Sequence, residues 1–218
     1  MREGEIILAK RSYEEYFSNM KESTFYQLLA RLNNEQVIGK LAKGLYYKPY
    51  KNEVYKVPQQ DDALAFFTNK QRNGMVVGEK MLNNKGIINT DCDIIDVYTN
   101  MIEIKSTRFI CGLNLQMLEI DYKNYNYVLT IEMLELIEII DHFEEVNKEK
   151  LEEFINLFVS NYDETILTKI LLRKSYKKRV INTIKIILDH YNVSNELYRY
   201  LNTTSKYEFP KYIAEIIN

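Results

Sequence analysis

Lys21–Pro49 reads KESTFYQLLARLNNEQVIGKLAKGLYYKP, and its hydrophobic period changes part-way along. In the first half Phe25, Leu28, Leu29 and Leu32 stand at i, i+3, i+4 and i+7, which places four apolar side chains on one face of a helix. Thr24, Gln27 and Arg31 share the opposite face at helical spacing. Glutamine and arginine are side chains that read base edges or grip phosphate. After Asn33-Asn34 the pattern becomes that of two short strands, Val37–Leu41 and Gly44–Lys48, joined at Ala42-Lys43-Gly44, where glycine supplies a permissive turn. Pro49 ends the second strand because proline cannot donate to a continuing ladder. The stretch predicts a helix followed by a β-wing.

On its N-terminal side, Glu5–Ala9 is an apolar run suited to a strand that pairs with the wing. Ser12-Tyr13-Glu14-Glu15 has the Ser-x-x-Glu form of a capping box and predicts a helix to about Asn19, with Tyr13, Tyr16 and Phe17 turned inward. Strand, helix, turn, helix, wing is the winged-helix order without its usual first helix. The few residues before Glu5 leave no room for that helix, so the rest of the protein is expected to cover its side.

The cations fall where a DNA-binding winged helix would use them. Lys21 opens the helix, Arg31 lies on its outer face, and Lys40, Lys43 and Lys48 follow the wing, with Lys51 and Lys56 beyond. Thr24 and Gln27, with Ser23 and Tyr26 beside them, are the expected base readers; the lysines and Arg31 are the expected phosphate contacts, with Tyr46 on the wing. Neutralising about five phosphates would give log K a slope near ~4.5 against log salt. The bland alternative is a helix–hairpin unit that binds protein and touches no nucleic acid.

Lys51–Gln60, polar and interrupted by Pro58, reads as a linker and divides the chain into 1–57 and 58–218. Beyond it Asp61–Phe67 predicts a helix with acids in its first turn, Met75–Gly78 a buried strand, and Glu79–Asn84 a short helix ended by Lys85-Gly86. Ile94–Tyr98 and Met101–Lys105 predict a β-hairpin about Thr99-Asn100, with a further strand near Leu118–Tyr122. From Thr130 the pattern is helical, with later helices at Lys148–Ser160, Asp163–Arg173, Tyr176–Tyr191, Ser194–Leu201 and a last turn at Ile213–Ile217. The fold class is therefore α+β: a winged helix-turn-helix, a small mixed α/β domain and a helical C-terminal part.

Composition narrows the function classes. The 218 residues carry 29 basic and 31 acidic side chains, net -2, so no global positive charge advertises nucleic acid. The charge is uneven: residues 1–58 carry +3, residues 59–147 carry -8 and residues 148–218 carry +3. Two cysteines, Cys92 and Cys111, and no signal-peptide pattern predict a reducing cytoplasm. The most apolar run, Leu134–Ile140, is interrupted by Glu135 and Glu138, so no membrane span is expected. His142 and His190 stand alone, and no metal or other cofactor is expected.

Three motifs admit a second reading. Asp96, Glu103 and Lys105 form D-x6-E-x-K on adjacent predicted strands, which could hold Mg²⁺ for phosphodiester cleavage; the alternative, favoured here, is the ordinary solvated edge of a hairpin. Glu132, Glu135, Glu138 and Asp141 form a stripe read as a solvated helix face, with partner docking as a use for it. Arg173, Lys174, Lys177, Lys178 and Arg179 make the densest basic cluster, either a partner- or phosphate-binding patch or a basic corner between helices.

At Leu29-Ala30-Arg31-Leu32, Val37-Ile38, Lys40-Leu41, Lys43-Gly44-Leu45-Tyr46 and Pro49 the chain resembles the winged-helix segment of the AbiEi-like antitoxin family. The similarity continues more thinly through Val77–Asn83 to Gly86, Asp96–Asn100 and Tyr176–Val180. The chain departs from the family at Gln36, where a glycine often ends the recognition helix, and in its short N-terminus. The resemblance implies a non-enzymatic antitoxin of a bacterial toxin–antitoxin, phage-defence pair. Such a protein represses its own operon by binding inverted repeats in double-stranded DNA, and its C-terminal part opposes a nucleotidyltransferase toxin. A homodimer is one way to meet such repeats.

Overall fold

The first strand, β1 (Ile6–Leu8), runs directly into α1 (Ala9–Ser12), which continues as a π-helical turn over Tyr13–Phe17. The structure, a computed structural model, describes residues 3–51, 57–70, 72–102, 106–202 and 204–217. The helix opens where Ala9 N–H donates to the Gly44 carbonyl at 2.9 Å, so the turn at Gly44 sets its start. Ser12 is consequently inside the helix and its side chain caps nothing, contrary to the capping box expected there. Of the three aromatics expected to face inward, Tyr13 and Phe17 stack on Phe25 at 5.5 and 5.2 Å, while Tyr16 is 75% exposed.

α2 (Glu22–Asn34) follows, then β2 (Gly39–Ala42) and β3 (Leu45–Tyr47). The strands form an antiparallel sheet in the order β1-β3-β2, with Ile6 opposite Tyr47 and Gly39 opposite Tyr47 on the other side. Gly44 holds a positive φ of 78° at the turn. Phe25 and Leu29 of α2 are buried with Ala9, Ile38 and Tyr46, and Leu32 packs beside them; Leu28 is half-buried.

α2 ends in a Schellman motif, with Val37 N–H bonded to the Leu32 carbonyl at 2.9 Å and Gln36 N–H to that of Asn33 at 3.0 Å. Gln36 takes the left-handed position with φ 57°, where a Cβ is unfavourable. Gln36→Gly is therefore expected to stabilise the protein by about 1 kcal/mol. The urea midpoint measures this, and a lower midpoint for the variant would refute the assignment.

A second sheet, in the order β4-β5-β7-β6, lies beyond α3 (Gln60–Thr68) and is built from β4 (Gly74–Val77), β5 (Ile95–Thr99), β6 (Arg108–Ile110) and β7 (Leu113–Met117). α4 (Gly78–Asn84) leaves directly from β4. β5 pairs antiparallel with β4 and parallel with β7, so both its edges are occupied. That rules out the expected hairpin between Ile94–Tyr98 and Met101–Lys105; Met101 and Ile102 are not in a strand, and 103–105 lie outside the described residues. The strand expected near Leu118–Tyr122 is a loop.

The helices are α5 (Tyr125–Ile139), α6 (Lys148–Ser160), α7 (Glu164–Arg173), α8 (Lys178–His190) and α9 (Lys211–Ile217). The helix expected over Ser194–Leu201 is a 3-10 turn at Leu197–Tyr200. α5 is buried along most of its length, and the helical cluster continues onto Met75 and Val77 of β4 and Met81 and Leu82 of α4.

Among the described residues the architecture is mixed α/β with two sheets. A separate apolar cluster joins Ile6 and Leu45 of the first sheet to Ala63 and Phe67 of α3 and to Val97, Leu113 and Leu115 of the second. Burial removes these apolar surfaces from water, which is worth roughly 25 cal/mol per Å². α3 and the second sheet thus cover one face of the first sheet. Among the described residues no helix is long and apolar enough to cross a membrane.

Candidate nucleic-acid interface

α2 has one buried and one open face. Lys21, Ser23, Thr24, Gln27 and Arg31 are all exposed, as are Lys40 and Lys43 on the adjoining hairpin. The side chains of Lys21, Ser23, Thr24, Gln27, Lys40 and Lys43 make no hydrogen bond or ion pair within the described residues. A polar face with no internal partner keeps its full hydrogen-bonding capacity for something outside.

Two cations of this group have internal contacts. Arg31 Nε lies 3.9 Å from Glu35 Oε1, both side chains being largely in water, so the pair competes weakly with any external anion. Lys48 is half-buried, and its ammonium donates to the Val37 carbonyl at 3.2 Å, tying β3 to the end of α2. Tyr26 is half-buried with its ring edge-on to Phe25 at 5.7 Å. Tyr46 does not belong to the open face: it is 7% exposed and packs in the α2 cluster, because β3 is the central strand and Tyr46 points to the helix side. Lys51 is exposed, and Lys56 lies outside the described residues.

Gly39 lies on β2, half-buried opposite Tyr47. A Cβ there would come within 2.2 Å of the Tyr47 ring, so only glycine lets that ring cross the strand pair.

The second polar cluster is internal. Glu135, 8% exposed on α5, accepts at Oε1 from Tyr98 Oη of β5 at 2.8 Å, Tyr176 Oη at 2.7 Å and Lys174 Nζ at 3.0 Å. Lys174 also donates to Tyr98 Oη and stands 4.7 Å from the centre of each tyrosine ring. Burial, and then the neighbouring Glu135 carboxylate, push both tyrosine hydroxyls far above their ordinary range, so both remain protonated donors.

This arrangement corrects the reading of the acidic stripe. Glu132, Glu135 and Glu138 do not form a solvated face. Glu132 meets Lys85 at 2.8 Å, Glu135 meets Lys174, and Glu138 meets Lys177 at 3.3 Å and Arg179 at 3.7 Å. Burial raises the Glu132 pKa above the ordinary carboxylate value, and Lys85 only partly offsets that. Asp141 accepts from Lys211 N–H at 3.1 Å. The basic run is thus largely spent on the stripe: Lys174, Lys177 and Arg179 pair with it, while Arg173 donates to the Lys169 carbonyl and Lys178 to Asn202.

Of the D-x6-E-x-K motif only Asp96 is among the described residues. Asp96 of β5 accepts from Asn114 Nδ2 of β7 at 3.1 Å, and Glu103 and Lys105 lie outside the described residues. Among the described residues no three His, Cys, Asp or Glu side chains stand close enough to hold a metal ion. Arg108, whose Nε is buried without a hydrogen-bond partner, lies on a three-residue strand too short to show a period in the sequence.

No protein-family model matches the chain, and no curated protein matches it. Among solved structures it is similar to the crystal structure of RV2827C protein from Mycobacterium tuberculosis, at 9% identity and a TM-score of 0.36, over 84% of this chain and 71% of that one.

Proposed function

We propose that this chain is a cytoplasmic, non-enzymatic DNA-binding repressor whose N-terminal unit works as a winged helix. One observation carries the reading: the exposed face of α2 offers Ser23, Thr24 and Gln27 without internal partners, flanked by Lys21, Arg31, Lys40 and Lys43. α2 is long enough to lie in a major groove, at about 1.5 Å per residue, with the β2–β3 hairpin over the neighbouring backbone. Gln27 and Thr24 would read base edges, and the cations would hold phosphate.

The resemblance of the α2–wing segment to AbiEi-like antitoxins extends the proposal to an antitoxin that autoregulates its operon at inverted repeats and opposes a nucleotidyltransferase-like toxin. The test of that extension is growth rescue: co-expression with the product of an adjacent nucleotidyltransferase-like reading frame should restore growth, and continued toxicity would count against it.

A protein-binding module is the second reading, favoured by Tyr16, 75% exposed beside the partly exposed Phe17. It expects Tyr16→Ser to abolish a protein interaction while DNA binding is absent from the start.

A further inference from the structure

A cavity of about 690 Å³ opens between the N-terminal unit and the central sheet. That volume lies within the roughly 300–1,000 Å³ of small-molecule sites. One wall is the end of β1 with the wing turn, and the other is the segment after β5 together with β6. Its apolar lining is Leu8, Leu45, Met101 and Ile102, of which Leu45 and Ile102 are buried.

The polar lining is unbalanced. Four cations, Lys10, Arg11, Lys43 and Arg108, face two carboxylates, Glu14 and Glu15, a net charge of +2. Arg11 is already engaged, its Nε 2.7 Å from Glu15 Oε1. Arg108 differs: its Nε is buried and has no hydrogen-bond partner, and its guanidinium makes no ion pair among the described residues. A guanidinium N–H taken out of water without an acceptor is unfavourable, and buried polar atoms left unsatisfied are rare in folded proteins. An anion entering the cavity would relieve that cost.

We propose that this cavity binds a small phosphate ester of nucleotide size, its phosphate on Arg108 and Lys43 and its organic body against Leu8, Leu45 and Ile102. A phosphate dianion matches the net charge of +2, and its oxygens suit the planar guanidinium fork. The apolar lining requires more than a bare ion, and Tyr26 adds an aromatic edge on which a base could rest. The site stands whether or not α2 reads DNA, because its test is ligand binding.

Calorimetric titration of the full chain at low salt with AMP, with inorganic phosphate and with benzoate tests it. The expected result is one AMP per chain, with inorganic phosphate competing at higher concentration. Arg108→Leu should weaken AMP binding at least tenfold while melting no lower than wild type, since it removes a buried N–H that has no acceptor. Lys43→Ala should weaken it several-fold, and Lys178→Ala, on α8 and outside the cavity, should leave it unchanged. The proposal is overturned if AMP gives no saturable heat, if benzoate binds and AMP does not, or if folded Arg108→Leu binds AMP like wild type. Equal losses in Lys178→Ala and Arg108→Leu would also overturn it, as they would indicate unspecific charge attraction.

Discussion

Glu135→Ala is expected to destabilise the protein by about 3–5 kcal/mol, the range for breaking a buried ion pair on one side. The variant would leave Lys174 without its carboxylate and would strip the acceptor from Tyr98 and Tyr176 together. Those four side chains come from β5, α5 and the α7–α8 connection, so the loss would loosen the sheet from the helices as well as the helices from one another. The melting temperature should fall on the order of 10 °C. Glu135→Gln keeps an acceptor for the hydroxyls and should cost less. A change below about 1 kcal/mol in Glu135→Ala, by urea unfolding, would show that the cluster is not the pin described above.

Gln27→Ala combined with Arg31→Ala is expected to weaken binding to the DNA upstream of the gene on the order of a hundredfold. A good bidentate base contact discriminates by ~1–3 kcal/mol, and a lost phosphate contact adds a further, sequence-independent share. The two residues stand one helical turn apart on the open face, outside the apolar cluster, so the variant should melt like wild type. Gln27→Ala alone should flatten sequence preference, and Arg31→Ala alone should weaken all sequences alike. Anisotropy titrations against the upstream DNA and a scrambled duplex separate the two effects; unchanged affinity and preference in the double variant would remove α2 from the interface.

Where chemistry is local, the fold was legible in the chain. The predicted start of the helix at Lys148 is met because Asn147 Oδ1 accepts from Lys150 N–H at 3.1 Å, and Asp163 likewise caps α7 through Thr165 and Ile166. Phe25 and Leu29 are buried as their spacing predicts, and the Glu5–Ala9 run supplies a strand, β1, that pairs with β3. The parallel pairing of Ile95 with Leu113 was not legible, because nothing in either short strand names its partner. The stripe on α5 shows why period alone misleads. Spacing puts Glu132, Glu135 and Glu138 on one face, but whether that face meets water depends on Lys174, Lys177 and Arg179, far along the chain. Tyr46 failed for a similar reason, since alternation cannot tell which face of a half-buried hairpin a helix will cover. The open face of α2 was readable because it follows directly from the buried one.

As proposed, the α2 face and the adjoining hairpin hold DNA through about five phosphate contacts. The most direct measurement is the affinity of the full chain for its upstream DNA between 50 and 200 mM salt. Five contacts give a slope near ~4.5 in log K against log salt, a loss on the order of 500-fold across that range. Binding that is absent at 50 mM salt, or that is indifferent to salt, would rule out α2 and the hairpin as a DNA-binding surface.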